Sequence, residues 1–419
     1  MLRTTLTGHH ARRARPLGVA GVVLAAAFAT PAPAQTPLDR PVGVVRPYAL
    51  DAGVRSNPAD GPAVVFRHDV VVEDAAWLRL HFGRVDLAPG SVVRLTALHD
   101  GAVQRLDAAA LRQWRNTSAY FNGDTVRVEL VAAGGSASNR LVLGHVTMQA
   151  GDAGVTDGGL CGICDGDDRT ASEQDFAGRL LPSGCSATVW NESSCVVSAG
   201  HCAGGADIIQ FRVPPSNPDC SLAHPPVEEQ FPIVMNISSS SGVGDDWAAL
   251  RAGNNNLGVT PFERYGVFRP IATATTVVGR AVDVWGYGVD DVCVDSQTQQ
   301  RSTGFVNGVG ATAFTHDADT TFGNSGSSII IEGAIAGIAT HCGCPTNIAM
   351  RIDDAAFTAA RAETCPCTGD VDGDGIVGFS DLLKIFINWG QTGGPSDLND
   401  DGIVNILDLL IVLSAWGAC

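Results

Sequence analysis

Residues 320 to 330 read TTFGNSGSSII, a surface turn entering a buried strand, with an Asn-Ser pair bracketed by Gly323 and Gly326. A serine in such a turn is ordinarily inert. It becomes a nucleophile only where a general base takes its proton and a buried carboxylate holds that base in the right tautomer. The chain carries both residue types upstream. CVVSAGHC, residues 195 to 202, puts His201 at the end of an apolar strand, and GDDWAAL, residues 244 to 250, puts Asp246 ahead of another apolar run. A lone histidine or serine in these settings is uninformative. The three together, in the order His, Asp, Ser, make a candidate catalytic set.

These stretches resemble the chymotrypsin/trypsin superfamily of serine peptidases, especially its bacterial glutamyl- and lysyl-endopeptidase-like branch. VVSAGHC matches the pattern around the family's base, DWAAL the pattern after its carboxylate, and GNSG, residues 323 to 326, the pattern around its nucleophile. The resemblance covers roughly residues 161 to 361 and implies a double β-barrel. It makes His201 the base, Asp246 rather than Asp245 the orienting carboxylate, and Ser325 the nucleophile. It further implies an oxyanion hole from the N–H groups of Gly323 and Ser325, and a disulfide between Cys185 and Cys202 across the histidine loop. Thr340, in GIATHC, falls where the family has a hydroxyl residue that borders the substrate and supports the Asp. Asp319, six residues before Ser325, falls at the pocket carboxylate of trypsin-like enzymes and implies cleavage after Arg or Lys, while His316 and His341 keep a glutamyl preference open. Two positions depart from the pattern. Asn324 stands where digestive enzymes have an Asp that captures a new N-terminal ammonium, and Ser327-Ser328 replaces the usual Gly/Ser-Pro.

The rest of the 419-residue chain frames this set. With 45% hydrophobic and 17% charged residues it has the composition of globular protein, long enough for two to three domains. Arg3, Arg12, Arg13 and Arg15 precede an apolar run, Leu17 to Ala29, and the small residues Ala32-Pro33-Ala34, the pattern of a secretory signal over residues 1–34. No other segment reads as a membrane span. Without that signal the formal charge moves from −17 to −21, which argues against nucleic acid as a partner. Twelve cysteines in an exported chain favour disulfides over zinc, although Cys161/Cys164, Cys342/Cys344 and Cys365/Cys367 have ligand-like spacing and His341 is adjacent. The pairings stay open.

Residues 35–150 alternate apolar and polar positions in AWLRLHFGRV, SVVRLTALHD, DTVRVELVAA and RLVLGHVTM, which predicts a β-sandwich-like accessory domain or prosegment. A small-residue linker, AGDAGVTDGG, follows at 150 to 159. The candidate peptidase domain spans 151–364, with helix expected only near DDAAFTAARAE, and a boundary falls at the CPC of 365 to 367.

The segment 365–419 repeats itself: DVDGDGIVGFSDLLKIFINWG, from 370, recurs as DLNDDGIVNILDLLIVLSAWG, from 397, a period of 27. Each copy places oxygen ligands at alternate positions of a twelve-residue loop with glycine, Gly375 or Gly402, at the sixth. Asp370, Asp372, Asp374 and Asp381 serve the first loop, and Asp397, Asn399, Asp401, Asn405 and Asp408 the second, so two structural calcium ions are expected. A small helical module follows from the apolar faces of DLLKIFINWG and DLLIVLSAWG. The repeat resembles a type I dockerin, which implies docking to a cohesin-like or cell-surface partner. Phe379-Ser380 and Ile406-Leu407 depart from the hydroxyl pairs common at the contact positions.

The expectation is a secreted, mostly β serine endopeptidase acting on protein or peptide substrates and carried by a calcium-dependent docking module. The competing reading is a binding or scaffold protein on a peptidase-like platform.

Overall fold

The computed structural model describes Met1 and residues 43–150, 161–164, 166–273, 276–365, 367–372, 376–399 and 401–418. The segment expected to be an export signal, apart from Met1, lies outside the described residues, as do most of the expected linker and Asp374. The protein is mostly β. Two six-stranded antiparallel barrels form its centre, flanked by two four-stranded sheets from the N-terminal region and two helices from the C-terminal repeat.

In the first barrel Ala177–Leu181 pairs with Cys185–Val189, then Cys195–Ser198, Asp245–Ala252, Gln230–Gly242 and Ile208–Gln210, which closes back on Ala177–Leu181. Its strands are buried almost throughout, except that Gln230–Gly242 is buried only over its first four residues, and Phe176, Leu180, Val197, Phe211, Phe231 and Leu250 fill the interior. The helix Ala355–Thr364 packs on this barrel through Phe357, whose ring lies 5.5 Å from that of Trp247. Cys365, just beyond, is buried in the same cluster and bonded to Cys195. The second barrel runs Ala281–Gly286, Ser328–Ile331, Ala334–His341, Asn347–Arg351, Ala313–His316 and Gln300–Val309, closing on Ala281–Gly286.

The N-terminal sheets have the pairing orders Val44–Asn57, Ser136–Ala150, Ala75–Asp86, Phe121–Asn122 and Ala63–Val71, Thr125–Ala132, Val92–Ala97, Val103–Leu106. One hydrophobic cluster gathers residues of both sheets. Val92–Ala97 shows the clean alternation of a half-buried strand. Ala75–Asp86 does not, because it is covered on both sides from Trp77 to Leu80. Leu78, Leu80 and Trp77 all belong to the cluster, and on the face of Trp77 and Arg79 the strand also meets the chain of the first barrel: Trp77 lies edge-on to His224 at 5.0 Å, and Arg79 Nη1 reaches Asp207 Oδ2 at 2.6 Å.

This region is not wholly β. LDAAALRQ folds as the helix Ala108–Gln113, because the Asp107 carboxylate accepts the N–H groups of Ala109 and Ala110 and so supplies the cap. Short helices at Gly200–Ala203 and Pro261–Tyr265 likewise add to the one expected at 353 to 363.

The described cysteines are all oxidised. Cys161–Cys342 and Cys164–Cys344 cross-link two of the close clusters to each other, Cys220 joins Cys293, and the zinc alternative is thereby excluded for these residues. Among the described residues no helix is long and apolar enough to cross a membrane.

Candidate active site

The strand Cys195–Ser198 ends by delivering its chain into the short helix Gly200–Ala203, and the strand Asp245–Ala252, its neighbour in the barrel, begins beside it. Side chains at the two strand ends are thereby brought together. His201 Nδ1 lies 2.6 Å from Asp246 Oδ2, and the backbone N–H of His201 donates to Asp246 Oδ1 at 2.8 Å. Asp246 is 2% exposed and Asp245 is exposed, so only the second of the two acids takes part. Both oxygens of a buried carboxylate are thus committed to one histidine, which fixes the ring's orientation and puts the proton on Nδ1. The other ring nitrogen, Nε2, is buried and has no hydrogen-bond partner among the described residues, so the structure brings His201 and Asp246 together but forms no bond from Nε2 to the Ser325 hydroxyl.

Gly200 permits this meeting. A Cβ there would lie 1.7 Å from the carbonyl oxygen of Ser239 and 2.9 Å from Trp247 N. Any side chain would push the His201 turn away from Asp246.

The Ser325 loop is seated on the same turn. Ser186 N–H donates to the Ser325 carbonyl at 2.8 Å, and the Cys202 sulfur lies 3.8 Å from that oxygen. Cys202 is bonded to Cys185, so the histidine turn, the strand Cys185–Val189 and the Ser325 loop are locked to one another. Gly326 has φ +87°, and a Cβ there would lie 2.1 Å from Ser186 O and 2.2 Å from Ser198 Oγ. The metal-like grouping of Cys185, Cys202 and His201 is accounted for by the disulfide.

Carbonyl partners set the direction of the two N–H groups expected at the oxyanion. The Phe322 carbonyl accepts from Val289 N–H at 2.8 Å, and the Asn324 carbonyl accepts from Ser327 N–H at 2.9 Å. In a trans peptide the N–H points opposite to the C=O, so the Gly323 and Ser325 N–H groups are turned away from those contacts. Ser186 Oγ donates to the Gly323 carbonyl at 2.8 Å and accepts from Tyr287 N–H at 2.8 Å. Sequence reading passed over Ser186, whose only signal is its place next to Cys185.

Asp319 is buried, and its Oδ2 accepts the Asp168 N–H at 3.1 Å. Burial, reinforced by the negative charges of Asp168 and Asp167, pushes its carboxyl up to about 6. The Thr340 hydroxyl has as its contacts the Ile348 carbonyl, at 3.5 Å, and His341 Nδ1, at 3.0 Å. The bonds found for Asp246 run to His201 and not to Thr340. His341 is buried near the site, and burial holds it below its usual range, with Asp246 and His201 close enough to act on it in opposite directions. His316 is fully buried in its strand, and burial pushes it down to about 4.

The C-terminal repeat keeps its period in space. The Asp381 carboxylate accepts from the N–H groups of Val371, Asp372 and Gly378; Asp408 does the same with Leu398, Asn399 and Asn405, each 27 residues on. Val377 and Ile385 pack with their counterparts Val404 and Val412 between the helices Phe379–Ile387 and Ile406–Ser414. Asp370, Asp372 and Asp381 bring ligand oxygens within 4.8 Å of one another. In the second loop Asp397 Oδ1 is buried without a hydrogen-bond partner, although Oδ2 accepts Gly402 N–H. A buried carboxylate oxygen with nothing to bond, in a loop of oxygens, fits a hard cation. Asn399, Asp401 and Asn405 are linked to one another around the same loop.

No protein-family model matches the chain, and no curated protein does. Among solved structures it is similar to a Glu endopeptidase in complex with MPD, at 19% identity over 48% of this chain and 99% of that one, with a TM-score of 0.39. A thermostable serine protease, AL20, from an extremophilic microorganism is 16% identical over 42% of this chain and 90% of its own, with a TM-score of 0.34. The protease Anisep from Arthrobacter nicotinovorans is 14% identical over 44% and 92%, with a TM-score of 0.36.

Proposed function

We propose that this chain is an exported serine endopeptidase of the chymotrypsin type, and the observation that carries the reading is the 2.6 Å contact of His201 Nδ1 with Asp246 Oδ2 beside the Ser325 loop. Ser325 Oγ attacks the scissile carbonyl while His201 Nε2 takes its proton. Asp246 holds the ring and balances the imidazolium charge. The N–H groups of Gly323 and Ser325 bind the oxyanion of the tetrahedral intermediate, which collapses as His201 returns the proton to the leaving amine. Water then repeats the sequence on the acyl-enzyme and frees Ser325.

Asp319 supports a preference for Arg or Lys, because a buried carboxylate among other acids gains most from an incoming cation. An acidic side chain would instead have to draw on His341, which burial keeps short of a proton.

Two calcium ions would be held by Asp370, Asp372, Asp374 and Asp381, and by Asp397, Asn399, Asp401, Asn405 and Asp408. Bound there, calcium supplies no chemistry to peptide hydrolysis; it neutralises carboxylates that otherwise repel. The module's helices leave Phe379, Leu383, Phe386 and Ile387 exposed on one copy, and Ile406, Leu407, Leu410 and Leu413 on the other, which supports docking to a cohesin-like or cell-surface protein. The N-terminal domain, bound through Arg79 and Trp77, is a fixed companion of the first barrel.

Labelling the purified protein with a fluorophosphonate and mapping the adduct tests the central reading. An adduct on Ser325 that is lost in Ser325→Ala is expected. A calcium-loaded wild type that never labels would sink the enzyme and leave the binding or scaffold reading. Chelation is expected to melt the C-terminal module by circular dichroism without slowing the labelling.

A further inference from the structure

Between the N-terminal domain and the first barrel strand the chain forms a strap, described at residues 161–164 and 166–169, that reaches the Ser325 loop through Arg169. Cys161 and Cys164 tie it to Cys342 and Cys344, immediately after the strand Ala334–His341. Asn347 Nδ2 bridges it, donating to Gly162 O at 3.1 Å and to Ala318 O at 2.9 Å. At its end stands Arg169, whose side chain is 1% exposed.

The Arg169 guanidinium is shared between the strap and the loop. Nη2 pairs with Asp167 at 2.6 Å and Asp290 at 3.2 Å, so its charge is balanced. Nη1 donates to Thr321 Oγ1 at 3.1 Å and to Val289 O at 3.0 Å. Both partners belong to the hydrogen-bond set that orients the oxyanion peptides: Val289 N–H holds the Phe322 carbonyl, and Thr321 N–H donates to Asn324 Oδ1 at 2.9 Å. The convergence is tight. A Cβ on Gly288 would lie 2.2 Å from Asn324 Oδ1, 2.5 Å from Thr321 Oγ1 and 2.6 Å from Arg169 Nη1.

Resting on the reading of Ser325 as nucleophile, we propose that Arg169 is a positioning residue for the Ser325 loop. It is an internal cation, anchored by a cross-linked strap, that fixes the turn from Thr321 to Asn324 and hence the direction of the Gly323 and Ser325 N–H groups. The position before the nucleophile carries a neutral amide, satisfied by Thr321 N–H, so this loop needs no charge liberated by cutting the chain.

The test compares wild type, Arg169→Ala, Arg169→Lys and Thr321→Val for fluorophosphonate labelling rate and for kcat and KM on a peptide ester. For Arg169→Ala, kcat is expected to fall by about tenfold to a hundredfold with KM little changed, as loss of oxyanion alignment dictates. Arg169→Lys keeps the charge but not the fork, and should recover only part of the rate. Free guanidinium ion at non-denaturing concentration should restore Arg169→Ala, which a merely structural defect would not allow. A folded Arg169→Ala that labels at the wild-type rate, or one that guanidinium leaves slow, overturns the proposal, as does labelling of the wild type only after cleavage ahead of residue 161. Should Arg169→Ala not fold, Thr321→Val decides, with a several-fold lower kcat expected and an unchanged kcat contrary. A wild type that does not label at all removes the nucleophile itself, a different result from variants that label like wild type.

Discussion

The two barrels hold their halves of the site by different means. The first rests on a large apolar cluster, from Phe176 to the helix residue Phe357, that also takes in Ile330, Ile335, Ile338 and Met350 of the second barrel, and it presents His201 and Asp246 from strand ends. The second has a smaller apolar cluster around Val282, Val284, Phe314 and Ile329, and beside it a buried polar set including Thr320, Thr321, Asn324, Ser325, Ser327 and Asn347. His201 and Asp246 are thus held by close packing and their two mutual hydrogen bonds, the Ser325 loop by a wider set of hydrogen bonds and two cross-links. Packing tolerates apolar exchange at constant volume but not a change of volume; a hydrogen-bond net tolerates neither a lost partner nor a lost tether.

Asp246→Asn tests the pair in the apolar barrel where volume is unchanged. Its amide would invert the proton preference at His201 Nδ1, and kcat should fall by about 10⁴-fold with the melting temperature nearly kept, measured by ester hydrolysis beside calorimetry. A large loss of stability would mean that the contact holds the fold rather than the tautomer. Volume is tested next by Gly200→Ala and Gly326→Ala. Each sets a methyl against backbone oxygen, and each should cost about 3–5 kcal/mol in denaturant unfolding. Gly326→Ala adds strain at φ +87°, so it is expected to be the worse of the two.

Replacing Cys164 and Cys344 together by serine probes the tether. The bond closes a loop of 180 residues but duplicates the constraint of its neighbour, so a loss of about 2–4 kcal/mol is expected by thermal unfolding. The effect should be concentrated in the second barrel, read by hydrogen exchange at Ser328–Ile331. The smallest effect concerns Asp319. Its folded pKa, about 6, lies above the ordinary 3.8, so the folded state keeps a proton that the unfolded chain has lost. Ionisation of Asp319 therefore opposes folding, a penalty absent below about pH 4 that grows as pH rises through 6. Asp319→Asn should raise stability at pH 8 and leave it unchanged at pH 4, followed by melting temperature.

How much of this is legible in the sequence follows from the range of each interaction. His201 and Asp246 stand at the ends of apolar runs that become adjacent strands, and the resemblance of VVSAGHC and DWAAL to family patterns selects them, including Asp246 over its exposed neighbour. The 27-residue repeat is likewise local, and its N–H contacts repeat with it. Arg169, Ser186 and Ser198 carry no such mark, because their partners at 321, 323 and 186 come from other turns and strands. The helix after Asp107 is hidden by shortness, being a single capped turn and a half among strands. The crosswise bonds from Cys161 and Cys164 to Cys342 and Cys344 require knowing that the strap lies against the second barrel.

The strand Ala75–Asp86, covered on both faces, makes covalent continuity between the N-terminal domain and the barrels dispensable once the protein has folded. Arg79 has Ser118, Tyr120 and Thr117 on its own side and Asp207 across the junction, and stripping that junction would break this ion pair and uncover the apolar cluster shared with Leu181, Ile208, Leu222 and Val227. A chain nicked anywhere between residues 150 and 161 would run as two bands on a denaturing gel and travel as one particle through a sizing column.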